Sequence, residues 1–372
     1  MQRILEICVD LDGGGIDRFL FNYCSRIKDV LFDFVLVNQN KKGILEDTIK
    51  DMGSHIYYVS PMRDGIKKNA SQLMEIMHLV HYDAVHAHLG YKSFNALRCA
   101  KKSGIKTRIA HAHIAKEKET IANRVVRFFC SFLTKKYATN LAACGLEAAK
   151  WCWGKKMLEK GKITIHNNAI ETTKYKFSLE KRKHIRDELK INDKIVVGHV
   201  GRICEQKNQI RLIKIFSAFK KIKKNSVLII VGRDSLNGEC QNLAKTLGLE
   251  NDIVFLGVRD DIQNLLNAFD LFVFPSLFEG LPFTIIEAEC NGIPIVMSDK
   301  ITGEVIINNN VKALSLDEND SKWASICDLM LKQGRIINGD INVANKGYDL
   351  EIESKKLRNY YDDCIESNND RQ

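Results

Sequence analysis

Only four of the 372 residues are proline, too few for long polyproline linkers or collagen-like segments. No run of 18 apolar residues occurs, so hydropathy offers no transmembrane helix. The opening strand-like stretch Arg3–Val9 is too short to serve as a secretory signal. The eleven cysteines include no pair at CxxC spacing, which argues against a zinc ribbon or a thioredoxin-like redox motif. Cys8, Cys24, Cys130 and Cys144 lie in apolar or helical runs. That is the pattern of reduced, buried thiols, and the expected compartment is the cytoplasm. The phosphate-binding pattern GxxxxGK[ST] is missing as well, which excludes a P-loop nucleotidase.

The charge that is present is unevenly placed. Residues 1–190 hold 34 Lys and Arg against 20 Asp and Glu, a net of +14, whereas residues 191–372 hold 22 against 26, a net of −4. A basic half beside a mildly acidic one suggests two domains with different partners.

Short β-branched runs alternate with amphipathic stretches in both halves. Strands are expected at Arg3–Val9, Phe34–Val37, His55–Val59, Ala84–His86, Thr107–His111, Asn140–Ala143 and Ile163–Ile165. Helical patterns near 16–28, 65–80, 91–103, 119–136 and 145–153 stand between them. A second series begins at Ile195–Val200 and continues through Val227–Val231, Ile253–Leu256, Leu271–Phe274 and Ile293–Met297, again with helices between. This order argues for parallel sheets covered by helices on both faces. The expected division is an acceptor-side domain over residues 1–170, a lysine-rich connection over 171–193 and a donor domain over 194–351. A C-terminal helix from about 352 to 372 is expected to pack back on the first domain. Ligands are expected outside the carboxyl ends of the strands.

Four constellations carry chemistry. Asp12-Gly13-Gly14-Gly15 joins the first strand to the first helix, where glycines let backbone approach an anion at a helix N-terminus. Arg18 stands where a dinucleotide fingerprint has its third glycine, and Asn38 rather than an acid ends the second strand. Both argue against a nicotinamide dehydrogenase; a plain tight turn is the competing reading. The run Gly198-His-Val-Gly201-Arg202-Ile-Cys-Glu-Gln-Lys207 places two cations five residues apart on a strand-to-helix loop, suited to one diphosphate; solvated surface charge is the alternative. The run Phe274-Pro-Ser-Leu-Phe-Glu279-Gly280-Leu281-Pro-Phe283-Thr-Ile-Ile-Glu287 sets one glutamate in a loop and a second inside an apolar helix. A buried carboxylate needs hydroxyl or cationic partners. Finally, His86-Ala-His88 and His111-Ala-His113 each end a strand, and alternation puts both members of a pair on one face. No carboxylate or cysteine partner for a metal is evident, so one histidine turned towards substrate is favoured over a metal site; merely structural core histidines are the competing reading, more for His86 and His88 than for the second pair.

Taken together these residues resemble glycosyltransferase family 4, retaining enzymes of the GT-B fold. FPSLFEGLPFTIIEA resembles its glutamate signature, GRICEQKNQIRLIKIF its phosphate-binding run, DGGGIDRFLFNY its glycine loop and RIAHAH its histidine strand. EAECNGIPIVMSDKITGEV resembles the capsular and exopolysaccharide subgroup. The resemblance implies an α/β GT-B fold, two Rossmann-like domains facing a central cleft. It implies that Arg202, Lys207, Gly14 and Gly15 hold a donor diphosphate, and that Glu287 holds the ribose. Glu279, Gly280, Leu281 and Phe283 would hold the donor sugar, and Arg259 would border the base. His113, or less favourably His111, would contact the transferred sugar, with Glu279 the further candidate at the reacting centre. The family's glycine loop is often followed directly by an acid; here Ile16-Asp17 follows, and Asp17 would substitute for it.

The implied activity is metal-independent, cofactor-free transfer of a hexose or N-acetylhexosamine with retention. The donor would be a nucleotide sugar, with UDP favoured, and the acceptor a polyprenyl-diphosphate-linked glycan at the inner face of the membrane. A nucleotide-sugar epimerase or phosphorylase of the same architecture is the nearest alternative. Nucleic-acid binding finds no supporting motif, and a non-catalytic lipid- or glycan-binding module is disfavoured by the donor residues. The basic, aromatic helix Arg124–Lys136 and the run Trp151–Lys156 suit contact with anionic lipid; a core-facing helix with a solvated basic edge competes with it.

Overall fold

A computed structural model describes residues 1–12, 14–37, 42–114 and 120–370. Gly13 and Asn38, weighed above, lie outside the described residues. The chain divides into two units: Met1–Ala169 with Leu350–Gln372, and Ile170–Asp349.

The first unit is built on seven parallel strands: β1 (Gln2–Cys8), β2 (Val30–Leu36), β3 (Ile56–Tyr58), β4 (Ala84–Ala87), β5 (Thr107–Ala112), β6 (Asn140–Ala143) and β7 (Ile163–Ile165). Their order is β3-β2-β1-β4-β5-β6-β7. The chain starts at β1, runs to one edge, then crosses back to β4, so the order reverses between β1 and β4. That reversal opens a crevice beyond the strand ends where loops can hold a ligand. Residues 4 to 8 of β1 are all buried, as expected for a central strand covered on both faces. The sequence there is Ile-Leu-Glu-Ile-Cys, so an acid sits in the sheet.

The C-terminal helix Leu350–Asn369 belongs to this unit. It docks through Arg358 Nε on Asp29 at 2.7 Å, Gln2 Nε2 on Asp362 at 2.7 Å, and Tyr361, which is buried under the sheet.

The second unit has six parallel strands: β8 (Ile195–Val200), β9 (Ser226–Val231), β10 (Ile253–Gly257), β11 (Leu271–Phe274), β12 (Ile295–Ser298) and β13 (Val311–Leu314). Their order is β10-β9-β8-β11-β12-β13, with the reversal between β8 and β11. Leu212, Phe216 and Phe219 of one helix meet Leu228, Ile230, Val273 and Trp323 in its core. At Gly198 in β8 an added Cβ would lie 2.0 Å from the Phe269 ring, so this strand needs glycine for close packing rather than for its backbone angles.

Residues 171–193, expected as a connection, instead fold into the second unit. Helix Leu179–Glu188 starts at Ser178, whose hydroxyl accepts from Lys181 N–H. Arg182 and Arg186 both reach Asp270 at the foot of β11, and Asp270 also accepts from Val196 N–H at 2.8 Å. The lysine-rich face is the solvated side of a docked helix, which is why composition alone suggested a linker.

Candidate active site

In the second unit the two signature loops leave neighbouring strands at the reversal. The loop after β8 carries Arg202 and Lys207; the loop after β11 carries Glu279 and Gly280. Gly201 and Gly232 shape the first loop. Gly232 has φ of +144°, and a Cβ there would stand 2.1 Å from the Gly201 carbonyl oxygen. Asn208 adopts a left-handed conformation (φ of +59°), which asparagine tolerates better than most residues. Its side-chain amide donates to the Pro275 carbonyl at 3.0 Å. Gln206 Nε2 donates to the Phe278 carbonyl at 3.0 Å, and Leu277 N–H donates to the Gln206 carbonyl at 2.8 Å. These bonds bind the two loops to each other.

The result brings Lys207 Nζ to 2.7 Å from Glu279 Oε1, both largely shielded from solvent. The ammonium also sits 4.7 Å from the Phe274 ring centroid, a cation–π contact. Arg202 is exposed. Below them His199 is buried in β8. It donates from Nδ1 to the Val273 carbonyl at 2.9 Å and accepts at Nε2 from Gln209 at 3.1 Å. Burial, together with the nearby Lys207 charge, pushes His199 down to about 4 despite its bond to Val273, so it stays neutral. Gln209 also donates to the Arg202 carbonyl at 3.0 Å and accepts from Cys204 N–H at 3.2 Å, which fixes the cationic loop from beneath. Sequence reading passed over His199 and Gln209. His199 lies in the run Gly198–Lys207 and Gln209 in the phosphate-binding run, but their role depends on a fold neighbour, β11.

Helix Phe283–Cys290 begins after Pro282 and is buried along most of its length, including Phe283 and Glu287; Leu281, just before it, is buried too. Glu287 therefore occupies an interior position, as its apolar neighbours suggested. Arg259 follows β10. It forms a two-pronged contact with Asp261 at 2.7 and 2.8 Å, and a longer one with Glu188. Its guanidinium is thus largely committed to carboxylates.

In the first unit Gly14 and Gly15 follow β1. Asp17 is buried, and its carboxylate accepts from Gly14 N–H at 2.7 Å, capping the helix Gly15–Arg26. A Cβ on Gly15 would meet nothing within 4 Å, which leaves open space above the backbone.

The two histidine pairs meet across β4 and β5. His88 Nδ1 lies 2.8 Å from His113 Nε2, and His86 Nε2 lies 3.1 Å from His111 Nδ1. A carboxylate partner, not evident from the sequence, is supplied by Glu6 of β1, 2.7 Å from His88 Nε2. The ligand-capable nitrogens of His86, His88 and His111 lie within 4.8 Å of one another, although hydrogen bonds already link them. His111 is fully buried; His113 is partly exposed and lines a cavity of about 430 Å³ with His88, Tyr91, Lys92, Asn95 and Trp151. Burial drives His88 down to about 4, and drives His111 and His113 well below the ordinary histidine range.

Arg202, Lys207, Glu279 and Gly280 thus lie on the two loops at the reversal of the second sheet, and Gly14 and Gly15 follow β1 at that of the first, whereas Arg259 follows the edge strand β10 and His111 and His113 belong to the end of β5. A single cationic loop tied to an acidic one is suited to a sugar carried on a diphosphate. Among solved structures, Anabaena HepE in complex with UDP superposes with a TM-score of 0.80 at 18% identity, over 98% of this chain and 100% of that one. The chain has the GT-B fold.

Within that fold, residues 180–335 match the family described as glycosyl transferases group 1. Over its full length the chain is 28% identical to the putative glycosyltransferase EpsF of Bacillus subtilis (strain 168), covering 99% of that protein. It is 23% identical to the Escherichia coli UDP-Gal:alpha-D-GlcNAc-diphosphoundecaprenol alpha-1,3-galactosyltransferase, over 94% of each chain. The domain match and these relatives support a glycosyltransferase. In this GT-B chain the glutamate signature and the phosphate run both fall inside the matched domain, whereas the histidine pairs fall outside it.

Proposed function

We infer that this chain transfers a hexose or N-acetylhexosamine from a UDP-sugar, with retention and without metal, to a polyprenyl-diphosphate-linked glycan of a surface polysaccharide. The observation that carries the reading is the tie between two loops 72 residues apart, which sets Lys207 against Glu279 beside the exposed Arg202. Expelling a nucleoside diphosphate builds negative charge on the leaving group. Arg202 and Lys207 would stabilise it in place of a metal ion, and a carboxylate would orient sugar hydroxyls. Glu287 would take the ribose hydroxyls, and Gly14 and Gly15 would approach the diphosphate with backbone N–H groups. His113 would meet the transferred sugar. No group is assigned as a covalent nucleophile; retention would follow from the leaving phosphate oxygen receiving the acceptor proton on the same face.

The acceptor is supported by the E. coli relative, whose name specifies a diphosphoundecaprenol-linked substrate. It is also supported by helix Ile121–Tyr137. Among the described residues no helix is long and apolar enough to cross a membrane. Yet this one exposes Ile121, Val125, Val126, Phe128, Phe129 and Phe132, while the small residues Ser131 and Thr134 face inward. The aromatic face is therefore turned to solvent, not to the core. With Arg124, Lys135 and Lys136 on the same helix, it suits the headgroup region of an anionic leaflet at the cytoplasmic face. Trp153, read with that surface, is instead buried and donates to the Ala142 carbonyl at 2.9 Å. Only Trp151 remains near the surface, under Arg127 at 4.8 Å.

The test is a screen of UDP-, GDP- and ADP-sugars with the purified chain and a polyprenyl-diphosphate-linked acceptor. Nucleoside diphosphate release from one UDP-sugar, dependent on acceptor and undiminished by EDTA, is expected. Product with inverted anomeric configuration, or turnover without acceptor to an epimerised nucleotide sugar, would overturn it.

A further inference from the structure

The hydrogen bonds around Glu6 form one chain with two branches. On one side Glu6 Oε2 meets His88 Nε2 at 2.7 Å, and His88 Nδ1 meets His113 Nε2 at 2.8 Å. On the other, Glu6 Oε1 meets the Tyr361 hydroxyl at 3.0 Å, Tyr361 meets His86 Nδ1 at 2.8 Å, and His86 Nε2 meets His111 Nδ1 at 3.1 Å. Glu6, His86, His88, His111 and Tyr361 are buried. Among the described residues His111 Nε2 has no partner.

An ionised carboxylate only accepts hydrogen bonds, and a neutral imidazole has one donor and one acceptor nitrogen. With every ring in its neutral form, these two facts orient every proton in the chain. His88 must donate from Nε2, so its Nδ1 accepts and His113 must be protonated on Nε2. Tyr361 must donate to Glu6, so it accepts from His86 Nδ1–H, and His86 Nε2 accepts from His111 Nδ1–H. Both branches end on a bare nitrogen: Nδ1 of His113 and Nε2 of His111.

We propose that Glu6 is a positioning residue whose buried carboxylate fixes the tautomers of His113 and His111, so that each ends its branch on an unprotonated nitrogen able to accept from a hydroxyl. For His113, which lines the 430 Å³ cavity, that hydroxyl is a sugar's; this part rests on the functional reading above. Tyr361, from the C-terminal helix, is then part of the device: the helix that closes the first unit also sets the protonation pattern beneath its crevice. Second-layer partners that hold an imidazole in one tautomer act through the ring they orient.

The test is two-bond proton–nitrogen correlation spectroscopy on the full chain labelled with 15N-histidine, at pH 7.5. Wild type is expected to show His113 protonated only on Nε2 and His111 only on Nδ1. The opposite tautomer at either residue overturns the proposal. In Glu6→Gln the amide can accept from one branch but must donate to the other, so one of the two histidines is expected to reverse. Unchanged tautomers at both overturn it. Tyr361→Phe is expected to disturb His111 and leave His113 unchanged, and it serves where Glu6→Gln does not fold; disturbance of His113 alone overturns the branch assignment. In turnover, Glu6→Gln is expected to lower kcat at least tenfold with KM for the donor unchanged, and Glu6→Asp to restore part of it. Undiminished kcat in His113→Ala would sink the reading of His113 as the sugar contact, while leaving the tautomer result to stand or fall by itself.

Discussion

The ammonium of Lys207 rests 2.7 Å from the carboxylate of Glu279, so the resting site holds one of its two loop cations against its own acid. A diphosphate entering this loop, as proposed, would compete with Glu279 for Lys207. Removing the acid's charge therefore frees the cation. Glu279→Gln is expected to bind UDP at least as tightly as wild type while losing about 10²-fold in kcat, as a lost transition-state contact would. Lys207→Ala is expected to lose both. Calorimetric UDP titration beside single-donor kinetics separates them; equal weakening of UDP in both variants contradicts the assignment.

Three glycines divide into two kinds. Gly198→Ala and Gly232→Ala drive a methyl into the Phe269 ring and into the Gly201 carbonyl. Each is expected to destabilise the second unit by about 1–3 kcal/mol or more, the range for overpacking. Gly15→Ala meets no atom within 4 Å, so its fold should survive and only the approach of a diphosphate should suffer. Thermal unfolding combined with turnover tests the contrast; a stable Gly232→Ala, or an unfolded Gly15→Ala, contradicts it.

Acid should loosen the first unit. Burial, with a contribution from His86, lowers His88 from the ordinary value of 6.5 to about 4 in spite of its bond to Glu6. The unfolded chain binds that proton first, so stability is lost as pH falls from about 6.5 through 4. At ~1.4 kcal/mol per pKa unit this amounts to about 3 kcal/mol from His88. Glu6 adds loss at lower pH. Burial pushes it up, but His86 and His88 packed against the carboxylate outweigh that and bring it to about 2. Its contribution is present above the ordinary glutamate range and disappears as pH falls towards 2. Unfolding temperatures between pH 7.5 and 4.5 should fall steeply; a flat profile contradicts neutral, buried histidines.

The exposed aromatics of helix Ile121–Tyr137 offer a separate test. Phe128→Ser with Phe132→Ser should abolish sedimentation with phosphatidylglycerol vesicles while leaving the unfolding temperature within about 1 °C, since both rings are already in solvent. Vesicle binding that survives the double change, or that ignores the lipid's charge, removes this helix from the membrane surface.

Most strands were legible because parallel strands covered on both faces read as short β-branched runs, and Asn140–Ala143, Ile163–Ile165, Ile195–Val200 and Leu271–Phe274 have the expected bounds. Strand β13 was missed: it is a four-residue edge strand with no buried position. Helix Asp320–Gln333 was also passed over, although Asn319 caps it and Trp323, Cys327 and Met330 mark its buried face at helical spacing. Arg202 with Lys207, and Glu279 with Gly280, could be singled out as motifs because each pair lies within one short loop. Glu6 was the harder case. An acid inside Ile-Leu-Glu-Ile-Cys is a visible anomaly, but its partners His88 and Tyr361 are 82 and 355 residues away, and only the sheet order brings them together.

The central claim is that the loop after β8 grips the diphosphate of a UDP-sugar. Titration of UDP into wild type and Arg202→Ala by calorimetry tests it directly. The account predicts measurable UDP binding to wild type and about 10–100-fold weaker binding to the variant, the loss of a charge-assisted contact, with uridine alone binding equally to both. No UDP binding to wild type, or equal affinity in Arg202→Ala, would contradict it.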